Sequence, residues 1–302
     1  MRVRIAGIDL KNPVTTASGT FSVSDSSRFY DISRLGAAIT KGVSADPWGG
    51  NPAPRIAESY GGMLNAIGLQ NPGVDKYIEE ELPLLREFDT PVIANVAGKS
   101  VDEYCRVAER LDDTDVAMLE LNISCPNIKE GGIGFGTDAG MAAELTREVR
   151  KITRKPLILK LTPNVTDITL IAKAVESEGA DCVSLINTLL AMSIDAGRGT
   201  PVLANIVGGL SGPAIKPVAL RMVYQVRQAV SLPIIGLGGI MTGEDAAEFL
   251  MAGADAVSVG TAALVNPTAP VDVISELEEF MVMQGFKSIK ELKDSFMERK
   301  AI

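Results

Sequence analysis

Lys160 has the clearest chemical requirement of any residue in the sequence, because it lies inside an apolar run. The run Leu157-Ile158-Leu159-Lys160-Leu161 has the composition of a buried strand. An ammonium that points into such an interior is costly unless an anion meets it. A pyrophosphate, an enolate or the anionic edge of a reduced flavin would serve, and a Schiff base is the competing use of such a lysine. An outward Lys160 in a salt bridge is the weaker interpretation, since both strand neighbours are leucine.

Glycines follow the last two apolar runs of the chain. Gly238-Gly239 and Gly260-Thr261 lack bulky side chains at the points where backbone N–H groups could approach an anion. Each glycine alone would be explained by a tight turn. Together they favour a phosphate site of the kind formed after strands seven and eight of a (β/α)8 barrel.

Cys125 is the candidate base or nucleophile, because the chain contains no histidine. This absence excludes Ser-His-Asp and Cys-His catalytic pairs and His-ligated zinc, and we expect no metal site. Cys125 precedes a glycine-rich loop, whereas Cys105 and Cys182 fall in a predicted helix and a predicted strand. We therefore expect Cys105 and Cys182 to be inert core thiols.

Short Val/Ile/Leu-rich runs alternate with segments of helical period, which is typical of parallel strands joined by helices. Eight such pairs, with a preceding hairpin at 3–10, predict one (β/α)8 TIM barrel, a single domain over residues 1–302. The predicted strands are 14–17, 37–40, 92–96, 118–123, 157–161, 182–186, 234–237 and 256–259. The predicted helices are 26–35, 74–87, 101–111, 138–151, 167–178, 215–229, 243–251 and 271–283.

Polar residues and glycines follow most of the predicted strands, at the end of the barrel where active sites form. Ser18, Lys41-Gly42, Asn95, Asn122 and Asn187-Thr188 join Lys160 and the glycines in this pattern. Packing alone does not explain them, since buried polar groups need partners. Three long connections, 41–73, 124–137 and 187–214, are expected to be functional loops at the same end.

Composition excludes several classes of function. A net charge of −9 disfavours a nucleic-acid surface, which needs a basic stripe. No apolar stretch is long enough for a transmembrane helix, and the amino terminus lacks a signal-peptide core. Three cysteines without a CxxC motif suit a reducing compartment, so we expect a soluble cytoplasmic protein.

The motifs of the chain resemble those of the dihydroorotate dehydrogenases over nearly its whole length. They are Ala17-Ser18-Gly19, Ile39-Thr40-Lys41-Gly42, Asn51-Pro52-Ala53-Pro54-Arg55, the segments 62–73 and 208–212, Glu120-Leu121-Asn122-Ile123-Ser124-Cys125-Pro126-Asn127, and Leu185-Ile186-Asn187-Thr188. The cysteine at position 125, where other members of the family have serine, resembles the soluble class 1 enzymes. Segments 62–73 and 208–220 are similar to the NAD-linked (1B) branch.

The resemblance implies one FMN per chain and a pyrimidine substrate. The implied FMN-binding residues are Ser18, Lys41, Gly42, Asn95, Asn122, Lys160, Ile186, Gly212, Gly238, Gly239, Gly260 and Thr261. Those implied to hold orotate or dihydroorotate are Lys41, Asn65, Ala66, Ile67, Gly68, Leu69, Asn122, Asn127, Asn187 and Thr188. Asparagine amides suit the imide edges of a pyrimidine, and the Lys41 ammonium suits its carboxylate.

The implied reaction is oxidation of dihydroorotate to orotate in pyrimidine biosynthesis. Cys125 would remove a proton from C5, a hydride would pass from C6 to FMN, and Lys160 would stabilise the negative charge on the flavin. The implied partner is an electron-transfer subunit that carries FAD and a 2Fe–2S cluster and delivers electrons to NAD, with a homodimer of this chain inside a heterotetramer.

Three alternatives stay open. Fumarate could be the direct acceptor, as in the homodimeric branch of the family. Lys160 could be the nucleophile of a Schiff-base aldolase acting on a phosphosugar. The barrel could also store a flavin or phosphate ligand without catalysis, although Cys125 and the asparagines would then have no task.

Overall fold

The computed structural model describes residues 1–124 and 134–296. In chain order the strands are β1 Val3–Ile5, β2 Ile8–Leu10, β3 Val14–Thr16, β4 Ala38–Ile39, β5 Ile56–Ser59, β6 Gly62–Asn65, β7 Val92–Val96, β8 Met118–Asn122, β9 Leu157–Lys160, β10 Cys182–Leu185, β11 Leu189–Met192, β12 Ile194–Asp195, β13 Thr200–Pro201, β14 Val207–Ser211, β15 Ile234–Leu237 and β16 Ala256–Val259. The helices are α1 Val23–Ser26, α2 Val74–Lys76, α3 Leu82–Leu85, α4 Val101–Asp112, α5 Ala139–Ile152, α6 Ile168–Ser177, α7 Lys216–Ala229, α8 Gly243–Met251, α9 Thr261–Val265, α10 Ala269–Gln284 and α11 Ile289–Asp294. A π-helical turn, Tyr77–Glu81, joins α2 to α3, and 3-10 turns span Ile32–Arg34 and Pro213–Ile215.

Eight parallel strands form the predicted barrel. Their order is β3-β16-β15-β10-β9-β8-β7-β4, and a parallel bridge between Thr15 and Ala37 joins the two ends of the sheet. All eight predicted strands are confirmed, each to within about two residues at its ends. They were predictable because strands such as β9 and β15 are buried at every residue and so read as continuous apolar runs.

The barrel interior changes from apolar to polar along its axis. At the amino ends of the strands, Ile93, Met118, Ile158 and Cys182 pack with Ile5 of the β1–β2 hairpin. The hairpin, as predicted at 3–10, therefore covers this end of the barrel. Side chains two residues further along the strands face the same interior, because strand side chains alternate between faces. The polar residues of the interior consequently lie toward the carboxyl ends.

Seven of the eight predicted helices are present, but the predicted helix over 26–35 is wrong. The chain there forms the short α1 and a 3-10 turn at Ile32–Arg34. The Asp31 side chain accepts a hydrogen bond from the Ser33 backbone N–H at 2.9 Å, which starts the turn and interrupts any longer helix.

Two of the three connections predicted as long loops contain a small antiparallel sheet. Its order is β11-β14-β6-β5, so strands from the 41–73 connection pair with strands from 187–214. The β6–β14 register places Asn65 opposite Gly209. In the third connection, residues 125–133 lie outside the described residues. Within the described part of the chain, no helix combines the length and apolar character needed to cross a bilayer.

Candidate active site

Adjacent barrel strands bring Asn95, Asn122 and Lys160 together at their carboxyl ends. Asn122 lies beside Lys160 in the β8–β9 register, and Asn95 lies beside Glu120 in the β7–β8 register. All four side chains are buried, with Lys160 only 5% exposed. Polar groups so withdrawn from water need partners in the protein or in a ligand.

Glu120 is a buried carboxylate that the sequence interpretation did not identify as functional. It is 1% exposed. Its Oε2 accepts from Asn95 Nδ2 at 2.6 Å, and its Oε1 accepts from Ser184 Oγ at 2.6 Å. Ser184 is on β10, two strands away from β8, so this hydrogen bond crosses the barrel interior. The signal for Glu120 was its spacing of two from Asn122, which puts both residues on one face of β8.

The Asn95 carbonyl oxygen is the unsatisfied group of this network. Oδ1 of Asn95 is buried and has no hydrogen-bond partner among residues 1–124 and 134–296. A Cβ atom built on Gly42 would lie 2.6 Å from this oxygen, so only glycine fits beneath it. The site therefore presents a buried acceptor that a ligand donor could satisfy.

Two lysines concentrate positive charge at this end of the barrel. Neither Lys160 nor the half-buried Lys41 has an ion pair within the described residues. The pKa of Lys41 is lowered from its ordinary value, chiefly by burial and further by repulsion from Lys160 and Arg55. The Lys41 ammonium lies over Gly19, 3.4 Å from the position a Cβ there would take, which places it next to Ser18. An anion bound between the lysines would relieve this repulsion.

A second group of polar side chains surrounds the start of the 187–214 connection. Asn187 Nδ2 donates to Asn122 Oδ1 at 3.2 Å, and Asn187 Oδ1 accepts from the Thr188 backbone at 2.8 Å. A Cβ on Gly209 would lie 2.1 Å from the Thr188 hydroxyl oxygen, so Thr188 rests on β14. Asn65 Nδ2 donates to the Gly209 carbonyl at 3.4 Å from the other side. The small sheet thus joins three predicted substrate residues.

The backbone after Asn65 follows an unusual path. Gly68 and Leu69 both have positive φ, 74° and 52°. A Cβ on Gly68 would approach the Asn51 backbone nitrogen to 2.7 Å, so this position requires glycine. The Ala66 N–H donates to the Arg55 carbonyl at 2.8 Å, and the Ile67 carbonyl accepts from the Asn51 N–H at 3.0 Å. These contacts hold the 66–69 segment beside Asn65.

The predicted phosphate glycines also converge. A Cβ on Gly239 would lie 2.8 Å from the Gly212 carbonyl oxygen, and one on Gly212 would lie 3.6 Å from the Thr261 methyl carbon. Gly238 approaches Ile186 in the same way, at 3.3 Å, and Gly260 approaches Ala17 at 3.2 Å. Thr261 also donates to Ser211 Oγ at 2.8 Å, a contact absent from the sequence interpretation.

The cysteines fall into two groups. Cys125 and the predicted substrate residue Asn127 lie outside the described residues. Burial raises the pKa of Cys182 well above its ordinary value. Burial, followed by the nearby Glu148 and Asp102 carboxylates, raises the pKa of the partly buried Cys105. Both of these thiols stay protonated near neutral pH and are poor nucleophiles.

A family model described as dihydroorotate dehydrogenase matches residues 1–281. Three similar proteins are each named dihydroorotate dehydrogenase B (NAD(+)), catalytic subunit. The protein of Alkaliphilus metalliredigens is 58% identical over 296 residues, covering 98% of both chains. That of Alkaliphilus oremlandii is 58% identical, covering 97% of both chains. That of Lachnoclostridium phytofermentans is 60% identical, covering 96% of this chain and 97% of the relative.

Proposed function

Because this chain belongs to the dihydroorotate dehydrogenase family, we propose that it oxidises dihydroorotate to orotate with FMN bound in the barrel. The observation that carries the proposal is the polar layer formed by the buried side chains of Asn95, Asn122 and Lys160, in which Lys160 has no ion pair among the described residues. A packed core would not keep such a lysine, whereas an anionic cofactor gives it a partner. The family membership leaves the Schiff-base aldolase without support.

The residues around the polar layer fit FMN. Because they lack side chains, Gly212, Gly238 and Gly239 let the backbone that follows β14 and β15 pack closely together. We assign the phosphate group to this backbone. The unpartnered Asn95 Oδ1 offers an acceptor to a donor group of the cofactor. When bound, FMN supplies a hydride acceptor, and the buried Lys160 ammonium supplies fixed positive charge beside it.

The opposite group of side chains fits dihydroorotate. We assign the substrate carboxylate to the Lys41 ammonium, which repulsion from Lys160 and Arg55 makes receptive to an anion. The amides of Asn65, Asn122 and Asn187 each offer a donor and an acceptor to the ring. Asn127 and the backbone of 66–69 complete the proposed substrate set.

Cys125 is the proposed base that takes the proton from C5 of the substrate. It directly follows Ser124, whose backbone N–H donates to Asn122 Oδ1 at 3.3 Å. That hydrogen bond links Ser124, which directly precedes Cys125 in the sequence, to a proposed substrate residue. Because the other two thiols have raised pKa values, they are unsuited to the same task.

We propose that electrons leave this chain through a second subunit and reach NAD. The similar proteins are named as catalytic subunits of NAD(+) enzymes, which supports a separate partner. We assign FAD and a 2Fe–2S cluster to that partner, and a homodimer of this chain to the centre of a cytoplasmic heterotetramer. If fumarate proved to be the direct electron acceptor, it would replace NAD and the second subunit in this proposal.

The test is purification of the chain with any associated subunit, followed by a visible absorbance spectrum and an acceptor screen. We expect bound FMN, and dihydroorotate-dependent reduction of an artificial dye by the isolated chain. NAD should be reduced only when the partner is added. A colourless protein with no dihydroorotate activity would overturn the whole proposal. NAD reduction by this chain alone would overturn the partner, and efficient turnover with fumarate would transfer the chain to the homodimeric branch.

A further inference from the structure

Glu120 makes two buried hydrogen bonds, although it is not among the residues proposed to bind the cofactor or the substrate. One oxygen of its carboxylate accepts a hydrogen bond from Asn95 Nδ2, and the other accepts one from Ser184 Oγ, both at 2.6 Å. We propose that Glu120 is a positioning residue, which fixes the amide of Asn95 so that its carbonyl oxygen faces the cofactor. This inference rests on the proposed binding of FMN.

The argument begins with the two ends of an asparagine amide. Asn95 could present either its NH2 group or its carbonyl oxygen to the ligand, and the two ends differ little in size. An ionised carboxylate accepts hydrogen bonds but donates none, so Glu120 pairs only with the NH2 end. The carbonyl end then points away from Glu120. This carbonyl oxygen is the atom that is buried without a hydrogen-bond partner within the described part of the chain.

The neighbouring residues keep this orientation. Glu120 cannot swing away from Asn95 without losing the Ser184 hydroxyl, which reaches it from β10 across the barrel. Gly42 leaves the space that Asn95 Oδ1 occupies, since a side chain there would lie within 2.6 Å of that oxygen. The site is thereby set as an acceptor before the cofactor arrives, and it selects a ligand with a hydrogen-bond donor, such as the imide N–H of a flavin.

Charge and orientation can be separated by substitution. Glu120→Gln removes the charge but keeps an oxygen for Asn95 Nδ2, and the Ser184 hydroxyl can accept from the new amide. Glu120→Leu fills the space without any acceptor, so the Asn95 amide is free to turn. Asn95→Asp places two carboxylates in contact. Combining Asn95→Asp with Glu120→Gln restores a donor–acceptor pair in the reverse sense and again leaves an oxygen facing the cofactor.

The experiment measures FMN affinity of the full chain after removal of the cofactor, by quenching of FMN fluorescence. We expect Glu120→Leu to weaken FMN binding by about 10- to 100-fold, the cost of leaving a buried N–H of the cofactor without its acceptor. Glu120→Gln should weaken FMN binding by less than about fivefold, and Ser184→Ala should weaken it less than Glu120→Leu does. The Asn95→Asp variant should bind at least tenfold more weakly than the Asn95→Asp/Glu120→Gln double variant, about the worth of one hydrogen bond.

An Asn95→Ala background tests whether Glu120 acts through Asn95. In that background, Glu120→Leu should weaken FMN binding by less than about a further threefold, because the amide that Glu120 orients is gone. Equal losses in both backgrounds, or a double variant no better than Asn95→Asp alone, would overturn the inference. If Glu120→Leu does not fold, as judged by circular dichroism, the double variant decides. Failure of the parent chain to bind FMN would instead overturn the proposed function.

Discussion

Replacement of Lys160 by methionine should move stability and cofactor affinity in opposite directions. Methionine keeps most of the apolar stem but removes the ammonium of a residue that is only 5% exposed. Without FMN, the lysine is a buried charge with no salt-bridge partner in the part of the chain that the structure describes. With FMN, the same charge has its proposed partner. Glu120 keeps both of its hydrogen-bond donors in the variant.

The magnitudes follow from this burial. The effective penalty for burying an ion is several kcal/mol, and neighbouring polar groups offset part of it. We therefore expect Lys160→Met to raise the unfolding free energy of the FMN-free protein by about 1–3 kcal/mol, or a few degrees in Tm. Loss of a charge-assisted contact should weaken FMN binding by about 10- to 100-fold.

The assay pairs thermal unfolding of the FMN-free protein with titration of FMN. Lys155→Met is the matched control, because Lys155 Nζ donates to the carbonyls of Thr114 at 2.8 Å and Val116 at 3.0 Å. Its loss should destabilise the protein by about 1–3 kcal/mol and leave FMN affinity unchanged. The reasoning is refuted if Lys160→Met also destabilises the FMN-free protein while FMN binds as in the parent.

The same variant should change the pH dependence of substrate binding. Lys160 contributes to the lowered pKa of Lys41, so its removal allows that pKa to rise toward the ordinary value. Binding of the orotate carboxylate needs protonated Lys41 and is lost as pH rises through its pKa. The alkaline limit of orotate affinity should therefore move to higher pH in Lys160→Met. An unchanged limit would remove Lys41 as the carboxylate partner.

Three further variants test separate parts of the molecule. Cys125→Ser should slow flavin reduction by dihydroorotate in stopped-flow experiments and partly recover at high pH, whereas Cys105→Ser should match the parent; equal rates would exclude Cys125. Gly209→Ala should raise the KM for dihydroorotate by about tenfold without affecting FMN affinity, because the new Cβ would lie 2.1 Å from Thr188 Oγ1 and displace that side chain. An unchanged KM would contradict the proposed role of Thr188 in substrate binding. Burial raises the pKa of Glu81 from 4.5 to about 7, so the fold loses stability as pH rises from 4.5 to about 7, and the loss is complete above that pH. Denaturant titrations should show Glu81→Gln stabilising the protein by about 3 kcal/mol near pH 8 and by almost nothing near pH 4; equal effects would contradict this.

The barrel was predictable from the sequence because its strands are buried on both faces. Such strands appear as short apolar runs whatever their partners are, and the polar residues that end them mark one face of the sheet. The positions of Asn95, Asn122 and Lys160 follow from this pattern alone. Their mutual contacts do not, because register is set by pairing between distant parts of the chain.

The small antiparallel sheet could not be predicted for the same reason. β5 is exposed or half-buried at every residue, and β6 pairs with β14, which lies far along the chain. Neither strand has a clear period of two. Glu120 was missed because its neighbours in β8 are apolar, so the run suggested a strand and nothing more. Only the hydrogen bonds to Asn95 and Ser184 reveal its function as an acceptor.

Closure of the barrel has a consequence for biosynthesis on the ribosome. β3, the first barrel strand to be made, pairs with β16, the last, through the Val14–Val257 register. Three glycines of the proposed FMN phosphate site, Gly238, Gly239 and Gly260, directly follow the last two strands of the barrel. A nascent chain therefore carries an open sheet edge and lacks part of its proposed cofactor site until β16 and Gly260 have been made. A chain halted before β16 exposes the unpaired edge of β3 to aggregation, and the proposed FMN site is complete only once that strand has been added.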